Sequence, residues 1–202
     1  MEPKRALRAR LRSHRSELVR GLDPRAREEA GRAIADAVLR FVPDPCRVAV
    51  YESLPHEPPT RPLIEALLAQ GHEVIVPITL EDYTLEWTYA ASGTVGDEAT
   101  VTRSPLEPGR DTLGPAALET CDLIVTPGLS VDRHGTRLGQ GGGCYDRALA
   151  HRNPAAPVIA LLHEGEFSEA DLPHEQHDQR VDGYVTTTGR VVRLTAAPAS
   201  PG

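Results

Sequence analysis

Apolar positions in the first forty residues recur with a helical period. Leu7, Leu11 and Leu18 share one stripe of a helix predicted over residues 3–20, with Pro3 in its first turn. At about 100° per residue, Lys4, Arg8 and Arg15 lie together beside that stripe, at the edge of the core, where a cleft could receive them. Asp23-Pro24 reads as an N-cap followed by proline at the first helical position. The helix it opens runs to Phe41, with Ala26, Ala30, Ala33, Ile34, Ala37, Val38 and Phe41 as its apolar face. Shorter runs then alternate: a strand at Arg47–Tyr51, a helix at Arg61–Gln70 capped by Thr60 and stopped by Gly71, and a strand at Glu73–Pro77. Thr84–Tyr89 has the alternation of a more exposed strand, with Trp87 half-buried. The stretch 91–115 is rich in Gly, Pro and Thr and reads as loop with short strands. Asp122–Thr126 suits a buried parallel strand, and a helix from Gly143 to His151 and strands at Pro157–Leu162 and Val181–Thr187 complete the order. Strands alternating with helices predict one α/β domain over residues 1–190, three layers deep (α/β/α), with a mostly parallel sheet. Residues 191–202 are expected to be a disordered tail.

Charge changes the picture twice. Residues 1–40 carry eleven Lys and Arg against six Asp and Glu, a net +5; the whole chain is −7, so the remainder is −12. That remainder argues against nucleic acid as a partner. No apolar run approaches the roughly 18 residues needed to span a membrane. The second change is finer: 21 of the 22 basic residues are Arg, and Lys4 is the only lysine. Lysine offers phosphate a compact point charge that a guanidinium does not, so either chance or chemistry has kept it. Cys46, Cys121 and Cys144 are odd in number and widely spaced, which points to a reducing, cytoplasmic setting rather than a disulfide framework. Cys46 and Cys121 flank strands and read as small buried hydrophobes.

The richest stretch is Asp122–Arg147, DLIVTPGLSVDRHGTRLGQGGGCYDR, where a buried strand enters a loop with Gly135, Gly139, Gly141, Gly142 and Gly143 and then a helix. Glycines beyond the C-terminal end of a strand let backbone N–H groups approach an anion, and a helix N-terminus adds positive potential. Arg137 brings a formal charge and Asp146 a carboxylate suited to Mg²⁺. The common phosphate signatures do not fit. GQGGGC lacks the last small residue of the dinucleotide fingerprint, and Cys144-Tyr145 stand where a Walker loop needs Lys-Ser/Thr. Asp132 replaces the glycine of a nucleophile elbow. On the loop alone, a phosphate site and a structural glycine turn both stay open.

PGLSVDRHGTRLGQGGGCYDR resembles, without gaps, the signature of the 5-formyltetrahydrofolate cyclo-ligase family. Three further blocks resemble it in order: KRALR at Lys4–Arg8, HEPPT at His56–Thr60, and LPHEQHDQRVDGYVT at Leu172–Thr186. The resemblance spans residues 4 to 187 and implies a fold like the sugar-phosphate isomerase and CoA-transferase group. It implies closure of a ring on 5-formyltetrahydrofolate at the expense of ATP, giving 5,10-methenyltetrahydrofolate, ADP and phosphate. Carried over by position, Lys4, Arg8 and Arg137 would act on the phosphates. The ATP-binding set would be Lys4, Arg5, Ala6, Leu7 and Arg8, then Arg137, Leu138, Gly139, Gln140, Gly141, Gly142, Gly143, Cys144 and Tyr145. Glu52, Glu57 and Tyr145 would bind the reduced folate, and Asp146 and Asp178 would hold Mg²⁺. A cytoplasmic monomer with no obligate protein partner is expected.

Two positions depart from the pattern. Cys144 stands where the family has an aromatic residue, and Glu166 where many members carry Gln. A cysteine opening a helix from a glycine loop is also expected to have a lowered thiol pKa. His174, His177 and Asp178 do not make a zinc site, because no further ligand falls at suitable spacing. Two rivals remain: a folate-binding module without turnover, disfavoured by the presence of Lys4, Arg137 and Asp146, and an ATP-using relative acting on another heterocycle.

Overall fold

The computed structural model describes residues 3–90 and 112–194. Two helices come first, α1 (Lys4–Val19) and α2 (Pro24–Leu39), followed by β1 (Arg47–Val50), α3 (Arg61–Ala69), β2 (Glu73–Thr79) and β3 (Leu85–Tyr89). A 3-10 helix at Pro115–Thr120 precedes β4 (Leu123–Pro127), β5 (Ser130–Asp132), β6 (Arg137–Leu138) and α4 (Cys144–Leu149). The chain then forms β7 (Val158–Leu162), β8 (Phe167–Ser168), β9 (Gly183–Thr186) and β10 (Val191–Arg193). The main sheet has the order β10-β9-β7-β4-β1-β2-β3, parallel throughout except for the antiparallel edge strands β10 and β3. A second sheet, β6-β5-β8, stands apart from it.

The central strands read as continuous apolar runs because both faces of the sheet are covered. Side chains alternate, so Val48, Val50, Val74, Val76, Leu123 and Val125 pack with Ile34 and Val38 of α2 and Leu63, Ile64 and Leu67 of α3. Ala49, Ile75 and Ile124 face the other way, against Leu118 of the 3-10 helix, Leu149 of α4 and Val131 of the small sheet. The third layer is thus a mixture of short pieces rather than long helices.

Several expectations need correction. Leu18 is 39% exposed, whereas Arg15 is 2% exposed, so the buried face of α1 is charged at its far end. On α2, Gly31 and Ala35 are buried, while Ala26, Ala30 and Ala33 are only partly covered. Thr60 stands at the N-cap of α3 as expected, but its side chain makes no capping bond; its hydroxyl accepts the Ser53 N–H at 3.0 Å instead. Trp87 is 0% exposed, packed beneath the sheet rather than half-buried. The domain boundary expected at 190 lies later, because Val191–Arg193 pair with β9. The expected tail from 195, and 91–111 of the expected loop, lie outside the described residues. Strands β5, β6 and β8 were not expected at all; two or three residues are too few to show a period.

Candidate functional site

A cleft of about 620 Å³ opens beyond the C-terminal ends of β1, β2 and β4, where ligands bind in parallel α/β sheets. One wall comes from α1. Leu7 anchors this helix by packing with Leu138 and Leu172, which turns Lys4, Arg5 and Arg8 to the opening. Lys4 Nζ lies 2.7 Å from Asp178 Oδ2 and 3.0 Å from Glu175 Oε1. Burial pulls the ammonium down, but the two carboxylates outweigh it and hold Lys4 above its ordinary value. Burial likewise raises Asp178, while Lys4 and the Glu175 N–H win and draw it below the usual carboxylate range. Arg8 Nε donates to the Gly139 carbonyl at 3.0 Å, joining the helix to the glycine loop.

Arg137, on β6, is buried and crosses beneath that loop. Its Nη2 meets Asp146 Oδ1 at 2.9 Å and its Nη1 donates to the Pro127 carbonyl at 3.2 Å. Its guanidinium sits 5.7 Å from the centre of the Tyr145 ring, and its Nε is buried without a partner among the described residues. Gly143, with φ +67, caps α4 in the left-handed region that favours glycine. Arg147 braces the loop from outside, its Nη2 donating to the carbonyls of Gly142 at 3.1 Å and Tyr83 at 2.7 Å. Because α4 has only six residues, the cationic side chains rather than a helix terminus dominate the positive potential here.

The opposite end is less polar. Glu57 is buried; its Oε2 accepts the Leu54 N–H at 3.0 Å, and Arg27 holds the loop by donating to the carbonyls of Leu54, Pro55 and Glu57. Burial raises the Glu57 carboxyl above its usual range despite the Leu54 N–H, Arg15 and Arg27. Tyr51, Glu52 and Tyr145 complete this end, and the Tyr145 hydroxyl is buried without a partner among the described residues. Burial pushes both phenols up. Two orphaned polar atoms, Tyr145 Oη and Arg137 Nε, thus stand in the wall of one cleft.

Of the residues expected at the nucleotide, Ala6 faces solvent and Leu7 is core, so neither lines the cleft; every other one does. Glu52 and Glu57, expected at the folate, line its opposite end. Asp146 and Asp178 both line the cleft, and Asp146 Oδ1 also accepts the N–H of Gln179, the residue after Asp178, at 3.2 Å. Among the described residues no group of three or more His, Cys, Asp and Glu is placed to hold a metal ion. Cys144 reverses its expectation. Burial pushes its thiol up, and the nearby Arg147 charge does not compensate. Cys144 is therefore expected to alkylate slowly at neutral pH and faster as pH rises; mass spectrometry after iodoacetamide treatment would show this, and rapid labelling at pH 7 would contradict it. Cys46 and Cys121 are buried as expected, their thiols raised to about 11 and about 12 by burial.

Three features were missed. Asp132 is buried and structural: Oδ1 accepts the N–H groups of His134 and Thr136 at 2.8 and 2.9 Å, and Oδ2 that of Leu172 at 2.9 Å. The Asp-x-x-Gly spacing was the available signal for this turn. Arg27 gave no signal, nor did the buried contact between Arg15 and Glu166, which are 151 residues apart.

Known proteins share both the sequence and this architecture. The chain is 33% identical over 154 residues to a 5-formyltetrahydrofolate cyclo-ligase of Mycolicibacterium smegmatis, covering 73% of this chain and 76% of that protein. It is 30% identical over 171 residues to a 5-formyltetrahydrofolate cyclo-ligase of Escherichia coli, covering 83% and 93%. An NMR structure of the Aquifex aeolicus 5,10-methenyltetrahydrofolate synthetase superposes with a TM-score of 0.70 at 25% identity, over 97% of each chain. The Mycoplasma pneumoniae synthetase shares the fold, with a TM-score of 0.68 at 18% identity. A sequence model of one family matches residues 1–187, a span that takes in both walls of the cleft, the glycine loop and all but the last edge strand of the sheet; the chain belongs to the 5-formyltetrahydrofolate cyclo-ligase family.

Proposed function

We propose that the cleft divides the family's ATP-dependent ring closure between its two ends, with triphosphate at the Lys4–Arg8–Arg137 end and pterin at the Glu57–Tyr145 end. The observation that carries this is the convergence of the only lysine, a buried arginine and the glycine loop opposite a buried glutamate in one cavity. A formyl oxygen is a poor leaving group, so it first attacks the γ-phosphorus and ADP departs. N10 of the folate then adds to the activated carbon, and the carbon–oxygen bond breaks to release phosphate. No step needs a protein nucleophile. Lys4, Arg8 and Arg137 stabilise charge on the transferring group and the loop fixes its line of approach. Glu57 and the orphaned Tyr145 hydroxyl offer hydrogen bonds that orient the pterin.

The donor set also fits Mg²⁺. The lining holds four cations (Lys4, Arg5, Arg8, Arg137) against five carboxylates (Glu52, Glu57, Asp146, Glu175, Asp178), a formal −1 with His177 neutral. With Glu52 and Glu57 at the pterin end, the phosphate end keeps four cations against three carboxylates, a net +1 that falls well short of neutralising a triphosphate without a divalent ion. Asp146 and Asp178, adjacent on one wall, suit an ion that keeps most of its waters and takes one or two carboxylates. Once bound, it would neutralise charge on the phosphates. Asp146→Asn is expected to raise the Mg²⁺ concentration for half-maximal rate several-fold, with a smaller rise for Asp178→Asn. Formation of methenyltetrahydrofolate, followed by its near-ultraviolet absorbance over a Mg²⁺ titration, checks both; unchanged titrations in the two variants would exclude the shared site. A cytoplasmic monomer is consistent with three unpaired cysteines and with a cleft completed by one chain. Among the described residues no helix is long and apolar enough to cross a membrane.

A further inference from the structure

Helix α1 delivers Lys4 and Arg8 to the cleft but is fixed at its other end. Arg15 and Glu166 are 2% and 3% exposed and meet at two points, Nε to Oε1 at 2.6 Å and Nη2 to Oε2 at 2.7 Å. Arg15 Nη2 also donates to the carbonyl of Gly128, a residue of the cleft wall. Glu166 is held in turn. Its Oε2 accepts the His163 N–H at 2.7 Å, and its carbonyl accepts the Ser130 hydroxyl at 2.5 Å. The ring Nε2 of His163 lies 3.0 Å from the carbonyl of His56, the residue before Glu57. One buried contact therefore joins α1, the turn after β4 and, through His163, the loop that carries Glu57. Neither Arg15 nor Glu166 lines the cleft.

Stability does not explain such a pair, since buried ion pairs are often replaced by apolar residues of like volume without loss. An apolar contact does not fix direction, however, whereas a guanidinium fork on a carboxylate fixes distance and angle together. We propose that Arg15 and Glu166 are positioning residues that set the placement of α1, and so hold Lys4 and Arg8 in register with the Gly128–Arg137 wall and the Glu57 loop. This rests on the roles given above to Lys4, Arg8 and Arg137. The lever is long. Arg15 lies eleven residues, about 16 Å, from Lys4. A tilt of a few degrees at the pair therefore moves Lys4 by about 1 Å, enough to cost on the order of 10² in rate.

Arg15→Met combined with Glu166→Leu removes both charges and leaves none buried and unpaired. Its Tm is expected to stay near wild type while kcat at saturating ATP and 5-formyltetrahydrofolate falls about 10²-fold; a folded double variant with wild-type kcat and KM overturns the proposal. Should that variant melt far below wild type, Arg15→Lys, which keeps the buried charge but loses the two-point fork, decides. It is expected to lower kcat about tenfold or more, and Lys4→Gln added to it should cost much less than Lys4→Gln alone, because Lys4 is already displaced. A wild-type kcat in Arg15→Lys, or strictly additive losses in that cycle, overturns the positioning role. Near-normal turnover in Lys4→Gln alone would instead overturn the catalytic roles on which it rests.

Discussion

Lys4→Gln is expected to leave the protein folded and nearly inactive. Lys4 is the only side-chain amine in the sequence, stands at the cleft in the first turn of α1, and is held charged by Asp178 and Glu175. Removing one charged contact to a transferring phosphoryl group costs roughly 3–4 kcal/mol, or 10²–10³ in kcat. The loss of stability should be modest, because the pair borders an open cleft and Asp178 keeps the Glu175 N–H as a partner. Steady-state turnover and thermal melting, measured together, check both halves. Lys4→Arg should recover little, since a planar fork on a longer stem does not reproduce a point charge at that place. Turnover of Lys4→Gln within a few-fold of wild type would remove Lys4 from the phosphate site.

Gly135→Ala should show the largest effect on folding. Gly135 has φ +77, and a Cβ there would lie 2.3 Å from the Val181 carbonyl oxygen, which belongs to backbone and cannot swing aside. The Val181 N–H also donates to the Gly135 carbonyl at 2.9 Å, so the two segments cannot separate without breaking that bond. Left-handed strain and forced overpacking together cost roughly 2–6 kcal/mol. In a chain of this size that lowers Tm on the order of 10 °C. Arg137 follows Gly135 by two residues, so turnover at temperatures where the variant is folded should fall as well. A melting curve indistinguishable from wild type would show that the turn relaxes more easily than its geometry implies.

What could be read from the sequence was local. Asp23-Pro24 placed the start of α2 because capping chemistry needs no partner from afar, and Asp23 Oδ1 does accept the Arg25 N–H at 3.0 Å. The central strands of the main sheet were legible because burial on both faces makes their runs apolar; Arg137 stood out as a charge in a glycine-rich loop, Lys4 as the only lysine, and Arg8 because it shares the helical face of Lys4. What stayed hidden depends on contacts between distant segments. A helical wheel puts Arg15 with Lys4 and Arg8, but it does not tell that this face passes from open cleft to interior between Arg8 and Arg15. Glu57 was identified by family resemblance alone, since nothing in HEPPT foretells a buried carboxylate. The rule for Cys144 was sound for an exposed turn and lost to burial, which is set by packing against the sheet.

The isolation of Lys4 also gives the protein a chemical address. Apart from the α-amine, an amine-directed acylating reagent has one side chain to find, and that side chain stands in the cleft. Its two carboxylate neighbours keep it protonated and therefore unreactive, so modification should be slow near neutrality and quicken with rising pH. An adenosine bearing a reactive acyl phosphate would deliver the acyl group to this amine, and unlabelled ATP would compete for it. The ATP-protected yield of acyl group on Lys4, told from the α-amine by peptide fragmentation, then counts nucleotide-competent molecules without reference to turnover.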